Sequence, residues 1–351
     1  MGFWNWVSER IVGRTPSTER TVGPNVDSPG VATEVPTGTL TDRKPESTDP
    51  PWWAPVGETV TELLEISRPQ MSVEALGLEN ILCDQLDGRN LDLPPLGAVS
   101  ERVLGRLRKR DCDFGQVAED IAEDQVLAAA VIRMASSPYY RGLQKISTIK
   151  PAITRLGAKA LGTLMYNESM RFAMADGKSG ETEFVRLLKD KSLAAGAIMH
   201  SLAQFTTMDR DEAQLLGLMH DIGDVMVLRE ARKQMRFVKY NLELESFDYL
   251  CHECHQEFGE LIAVAWNLPE KLRVLIGNHH SYPAPDDPMR VERLLIHLTD
   301  MINGLLSWGP YVAYDLLGSR PSRDLGFDKR ADFAEFLVSL PDDIADAITY
   351  L

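Results

Sequence analysis

Residues 215–228 read LLGLMHDIGDVMVL, an apolar run interrupted by the adjacent pair His220 and Asp221. Leu215, Leu216, Leu218 and Met219 have to bury the end of a helix, and the pair travels inward with them. An ionised carboxylate in such a place is costly unless it meets a cation or a metal. The other polar residues of the second half of the chain can be read as answers to that constraint.

All seven histidines lie at or after position 200. His255 heads the pattern His255, Phe258, Gly259, Ile262, Trp266, which places it on the apolar stripe of a helix. Leu272, Leu275, Ile276, His279 and His280 also recur at helical spacing, so this pair is expected on an inward helix face. Inward histidines from several helices, together with Asp221 and Asp300, make the nitrogen-and-oxygen donor set of a transition-metal site.

The rest of the chain limits what can surround such a site. At 351 residues it can bury one large core or two small ones. Its 52 acidic and 37 basic side chains leave a net charge of −15, which argues against a broad nucleic-acid surface. The short basic run Arg106, Arg108, Lys109, Arg110 reads as a solvated helix end. Four cysteines, Cys83, Cys112, Cys251 and Cys254, give no disulfide framework and suit a reducing compartment. No window approaches the roughly 18 apolar residues of a membrane span, and the start lacks the basic and apolar regions of a secretory signal. The expected location is the cytoplasm. Cys251-His-Glu-Cys254-His255 matches a pattern for covalent haem attachment, which goes with export and so does not fit here. A zinc clip of Cys251, Cys254 and a histidine stands beside ordinary reduced thiols.

Residues 1–57 hold eight of the 20 prolines among Ser, Thr and Gly, so they are expected to be a disordered tail. Aromatic islands flank it at Phe3, Trp4, Trp6 and at Trp52, Trp53, as docking peptides or loosely packed turns. From Glu58 the pattern is helical. Val126, Leu127, Ala130, Val131 and Met134 recur at helical spacing, Ser136-Ser137-Pro138 ends that helix, and another runs from Ile149 to Leu164. A closing amphipathic helix spans 332–351 through Phe333, Phe336, Leu337, Leu340 and Ile344. No sustained strand alternation occurs, and the chain reads as all-α.

Three further blocks carry a family resemblance. Leu93-Pro94-Pro95-Leu96 with Val99, Val103, Leu104 and Leu107 resembles the opening helix of the HDOD family. Residues 124–140, DQVLAAAVIRMASSPYY, resemble its second signature, with Ser136 where the family usually has asparagine. Residues 146–157, ISTIKPAITRLG, resemble its third. With the His-Asp segment, the likeness covers about residues 90–305.

HDOD domains are relatives of the HD superfamily of metal-dependent phosphohydrolases, and that resemblance implies ligands at His220, Asp221, His255, His279, His280 and Asp300. The early ligand histidine of that superfamily is replaced here by Lys191. His200 lies nine residues further along the same helix and is rotated to its opposite side, so it cannot take over. The Lys191 ammonium, a donor-only cation, is expected between Asp221 and Asp300, standing in for a metal. HD-GYP enzymes, which cleave cyclic dinucleotides, share the paired histidines. Here His279-His280-Ser281-Tyr282-Pro283 lacks the intervening Asp-Gly-x-Gly.

The resemblance therefore implies an all-α HDOD domain at 90–305, with an amino-terminal lobe (90–177) and an HD-like lobe (184–305). A leading helical segment (58–89) and a carboxy-terminal one (306–351) cover its edges. The expected role is a bacterial signalling or regulatory module without catalysis and without a cofactor, binding a protein partner or a small nucleotide. The alternative is a phosphohydrolase using iron, manganese or zinc. The amphipathic edge helix can close either a monomer or a homodimer.

Overall fold

The computed structural model describes residues 68–88, 91–137, 139–140, 146–175, 183–235, 242–306 and 315–350. The expected tail, residues 1–57, lies outside them, as does the beginning of the leading segment at 58–67. The described residues form helices and turns, with no strand, as the sequence pattern predicts. Among them no helix is long and apolar enough to cross a membrane.

Helix α1 (Val73–Gly88) belongs to the leading segment and buries Ala75, Leu78 and Leu82. Four helices follow: α2 (Ala98–Leu107), α3 (Phe114–Ala122), α4 (Gln125–Ala135) and α5 (Ile149–Met174). Helix α4 starts at Asp124, whose carboxylate accepts from the Val126 and Leu127 amides. Such a cap satisfies orphan donors and is worth about 1 kcal/mol. The helix expected from Ile149 to Leu164 is in fact two, because Gly157 sits at φ 73°, ψ 177° and breaks it. Only glycine takes that backbone conformation without strain. The second piece continues to Met174 and is buried nearly all round, through Leu161, Leu164, Met165, Tyr166 and Met170.

The second group is α6 (Glu183–Leu202), α7 (Arg210–Met219), α8 (Asp224–Met235), α9 (Leu244–Ala265), α10 (Glu270–Gly277) and α11 (Arg290–Leu305). A short connection makes α6 and α7 an antiparallel pair, and Gly217 lets them approach closely. A Cβ there would overlap the Ala195 carbonyl. Two last helices, α12 (Arg320–Leu325) and α13 (Ala331–Tyr350), complete the chain. The expected closing helix packs on α6 with Phe333, Leu337, Leu340 and Ile344 fully buried.

The two groups share one continuous apolar core. They are also joined by polar contacts at the end of α9. Trp266 Nε1 donates to the Pro94 carbonyl at 2.7 Å. Arg108 donates to Asn267 O at 2.8 Å and to Tyr166 Oη at 3.1 Å. The basic run lies at the end of α2 with Arg108, Lys109 and Arg110 exposed, as the sequence predicts, and Arg108 also reaches the carbonyls that the end of α9 leaves free.

Candidate metal centre

Five elements deliver the polar groups to one place. Lys191 comes from the middle of α6. His220 caps α7, Asp221 follows it in the turn, and Asp224 opens α8. His255 lies on α9 and Asp300 on α11. The turn between His220 and Asp224 presses so closely on α9 that a Cβ at Gly223 would overlap the His255 backbone. That contact sets His255 against the His-Asp pair.

His279 and His280 do reach the centre, but not on a helix face as expected. Helix α10 ends at Gly277, and Asn278 takes φ −154°, ψ 42°. The apolar spacing runs past the helix terminus, which periodicity alone does not reveal. Arg293 of α11 donates to the Asn278 carbonyl and pairs with Asp287 at 3.0 Å, holding this turn. His279 is fully buried, and His280 is half-buried.

Asp221 is the hub. Its Oδ2 lies 2.8 Å from Lys191 Nζ and 3.1 Å from His220 Nε2. Its Oδ1 lies 3.4 Å from both His255 Nε2 and His279 Nε2. Those two nitrogens are 3.0 Å apart, and His220 Nε2 is 3.2 Å from Asp300 Oδ1. Lys191 also reaches Asp224 Oδ2 at 3.3 Å. The expectation that Lys191 sits between Asp221 and Asp300 is corrected here. Its second partner is Asp224, while Asp300 turns to His220 and acts on the ammonium only at longer range. Asp224 starts a helix one turn beyond His220, which points it back toward α6.

The electrostatics follow from burial against these neighbours. Burial opposes a charge on Lys191, yet Asp221 and Asp224 outweigh it and hold the ammonium well above its ordinary value. Burial likewise opposes protonation of His220, and Asp221 with Asp300 reverses it, so His220 is held well above the usual histidine range. Asp221 overcomes its burial through His220 and Lys191 and stays well below the carboxylate range. Asp224 is raised by burial, with Lys191 opposing and Asp221 adding to it. Burial lowers His255 to about 3 and His280 to about 2, so both are neutral.

The histidine tautomers bear on whether a metal fits. His220, His255 and His279 each turn Nδ1 to a backbone carbonyl, those of Gly217 at 2.7 Å, Cys251 at 2.8 Å and Ile276 at 3.0 Å. A carbonyl only accepts, so each Nδ1 carries the hydrogen and a neutral ring presents a lone pair at Nε2. Rings held this way are the usual arrangement of histidines that bind metals. With both rings neutral, the His255 and His279 Nε2 lone pairs face each other and Asp221 Oδ1 with no donor among them. Such a cluster of acceptors calls for a cation, and the donor set fits a divalent metal. Ligand atoms also converge in two sets, His255–His279–His280 and His220–His279–Asp300.

Sequence reasoning missed two residues. Asp224 stood in plain view, three positions after Asp221 in the same apolar run. His252 lies one helical turn before His255, and its ring stacks on His280 with centroids 4.8 Å apart. His200 stays apart from the centre, as its rotation on α6 predicts. It is buried and packs edge-on against Tyr139 at 4.7 Å. Cys251 and Cys254 belong to neither converging set and are buried free thiols. Burial pushes Cys254 up to about 12 and Cys251 well above its ordinary value, so the thiolates a zinc clip needs are disfavoured.

The described residues are all-helical and gather a histidine–aspartate centre. Residues 93–282 match the HDOD domain, and the chain belongs to that family. A candidate metal-dependent phosphohydrolase from Shewanella amazonensis SB2B superposes with a TM-score of 0.61 at 21% identity, covering 78% of this chain and all of that one. An HDOD domain protein of unknown function from Geobacter sulfurreducens gives 0.52 at 20% identity, covering 76% and 99%. A candidate signal transduction protein from Marinobacter aquaeolei VT8 gives 0.53 at 18%, covering 81% and 67%. An uncharacterised protein of Treponema pallidum (strain Nichols) is 21% identical over 239 residues, 65% of this chain, which spans only 45% of that protein.

Proposed function

We propose that this HDOD protein is a non-hydrolytic signalling module of the bacterial cytoplasm, acting by binding a protein partner or a small nucleotide. The observation that carries this reading is the Lys191 ammonium 2.8 Å from Asp221 Oδ2. A hydrolytic centre has to make hydroxide at neutral pH, and a metal bound at His255, His279, His280 and Asp221 would supply that acidity to a coordinated water. The ammonium supplies none. It compensates the charge of Asp221 and Asp224 and holds α6 against the α7–α8 turn.

The segment that follows the paired histidines supports the same reading. Tyr282 Oη donates to Asp324 at 3.0 Å, and the Arg320 guanidinium lies 3.8 Å over its ring. Arg290 holds both Asp324, at 2.7 Å, and the Pro283 carbonyl, at 3.2 Å. Tyr282 and Pro283 are thus engaged by α11 and α12 rather than free for a substrate.

The test is turnover by the full chain, loaded with Mn²⁺ or Fe²⁺, of bis(4-nitrophenyl) phosphate and of cyclic dinucleotides. The expected rate equals that of an Asp221→Asn control. Hydrolysis that this control abolishes would overturn the proposal in favour of the phosphohydrolase reading.

A further inference from the structure

Two stretches of the chain carry charges of one sign only. Between Asp124 and Glu168 there is no acidic residue and there are six basic ones, in a protein whose net charge is −15. From Ala331 to Leu351 there are five acidic residues and no basic one. The first stretch supplies α4 and the beginning of α5, and the second is α13.

Both present a face to solvent. The outer stripe of α4 is Val126, Ala129, Arg133 and Ser136, all exposed, with Val126 at 68%. Arg155 donates to the Ala135 carbonyl at 3.3 Å, which holds the start of α5, with exposed Lys150, beside the end of α4. The outer stripe of α13 is Ala331, Glu335, Val338 and Asp342, again all exposed, with Val338 at 58%. Steps of three and four keep each stripe on one side of its helix. Among the described residues, Arg133, Lys150, Glu335 and Asp342 have no ion-pair partner.

A single exposed valine is ordinary on a protein surface. Each of these two shares its stripe with unpaired charges of one sign, and the helices themselves do little to offset them. Lys150 lies in the first turn of α5, where the helix dipole favours an anion and no acid is present. The last turn of α13 holds no base, although Asp342, Asp343 and Asp346 precede it. Arg133 does suit the last turn of α4, so the imbalance lies in the face as a whole.

We propose that these two faces meet between copies of this chain, the outer stripe of α13 of one copy lying on the α4–α5 face of another. The valines and Ala129 form the apolar seam, and Glu335 and Asp342 face Arg133 and Lys150 across it. Two different faces meet, so the contact is heterologous. One helix pair falls below the roughly 1,200 Å² of a standard interface, and its exposed charges are screened by salt, so the association is transient and strongest at low ionic strength. No residue of the histidine–aspartate centre takes part, and the contact stands whether or not that centre binds a metal.

The experiment is sedimentation of the full chain from micromolar to near-millimolar concentration, at low and at high salt. The unmodified protein is expected to gain mass with concentration at low salt and to lose that gain at high salt. Arg133→Glu and Glu335→Arg, each alone, should weaken the association by about tenfold or more, because like charges then face each other. An equimolar mixture of the two should associate again, since the acidic α4 face of one meets the basic α13 face of the other. Lys150→Glu and Asp342→Lys form a second matched pair, should far-UV circular dichroism show that a variant of the first does not fold. A single-chain mass for the unmodified protein at every concentration would overturn the proposal and leave each face to another partner. Undiminished association of both single variants, or a mixture no heavier than its components, would overturn it as well.

Discussion

Replacing Lys191 with methionine removes the ammonium and keeps an unbranched side chain one atom shorter. Asp221 and Asp224 then remain in the core, at 7% and 4% exposure, without the cation that faces them. Breaking a buried ion pair by removing one partner costs about 3–5 kcal/mol, because the other charge is left uncompensated. Two features pull the value to the lower end. Lys191 is itself 24% exposed, so water can reach part of the vacated space. Asp224 is already raised by burial and can take up a proton. The expected loss at pH 7 is about 3 kcal/mol. With a urea slope of about 3 kcal/mol/M for a domain of this size, the unfolding midpoint falls by about 1 M. The assay is urea unfolding in chelator, followed by far-UV circular dichroism and by the fluorescence of tryptophan, of which Trp266 is buried. Adding Asp224→Asn should recover at least about 1 kcal/mol, since it removes one of the stranded carboxylates. An unchanged or raised midpoint for Lys191→Met, at the same slope, would show that the ammonium does not compensate this pair.

Two other expectations follow from single contacts. Gly223→Ala places a methyl group against the His255 backbone, which cannot move aside as a flexible side chain would, so it should cost about 3 kcal/mol or more and lower metal uptake in the same preparation. Wild-type stability in that variant would refute the close approach of the α7–α8 turn to α9. His200 is held at about 4, first by burial and then by Arg210. Its folded value is below the unfolded value of about 6.5, so the stability it contributes is present above pH 6.5 and is lost as pH falls through about 4. The loss is roughly 3 kcal/mol. His200→Gln should flatten the pH dependence of the unfolding free energy over that window, and an unchanged slope would show that His200 is not buried in its neutral form.

Much of the architecture was legible in the sequence because it depends on local rules. Asp124 caps α4 through its own carboxylate, and the apolar positions of α4, α9 and α13 repeat at helical spacing. The nine-residue spacing alone placed Lys191 and His200 on opposite sides of α6. The break in α5 was harder to see, because a glycine within a helical pattern is ambiguous until its φ is known, and Gly157 proves to be left-handed. His279 and His280 kept the right spacing for the wrong reason, since the helix ends before them.

The sequence by itself determined which chemical groups the centre could contain. An apolar run that includes His220 and Asp221 must bury them, and a buried carboxylate must find a cation whatever the topology. Which cation meets which oxygen was decided only by the tertiary structure. The partners lie on α6, the α7–α8 turn, α9, the turn after α10, and α11, separated by tens of residues, and no local pattern encodes the distances between them. Gly217 and Gly223 permit the close approaches that bring Lys191 to Asp221 and Asp224. They also leave His255 and His279 facing the other oxygen of the same carboxylate. The division of that carboxylate between an ammonium and a set of lone pairs is a property of packing.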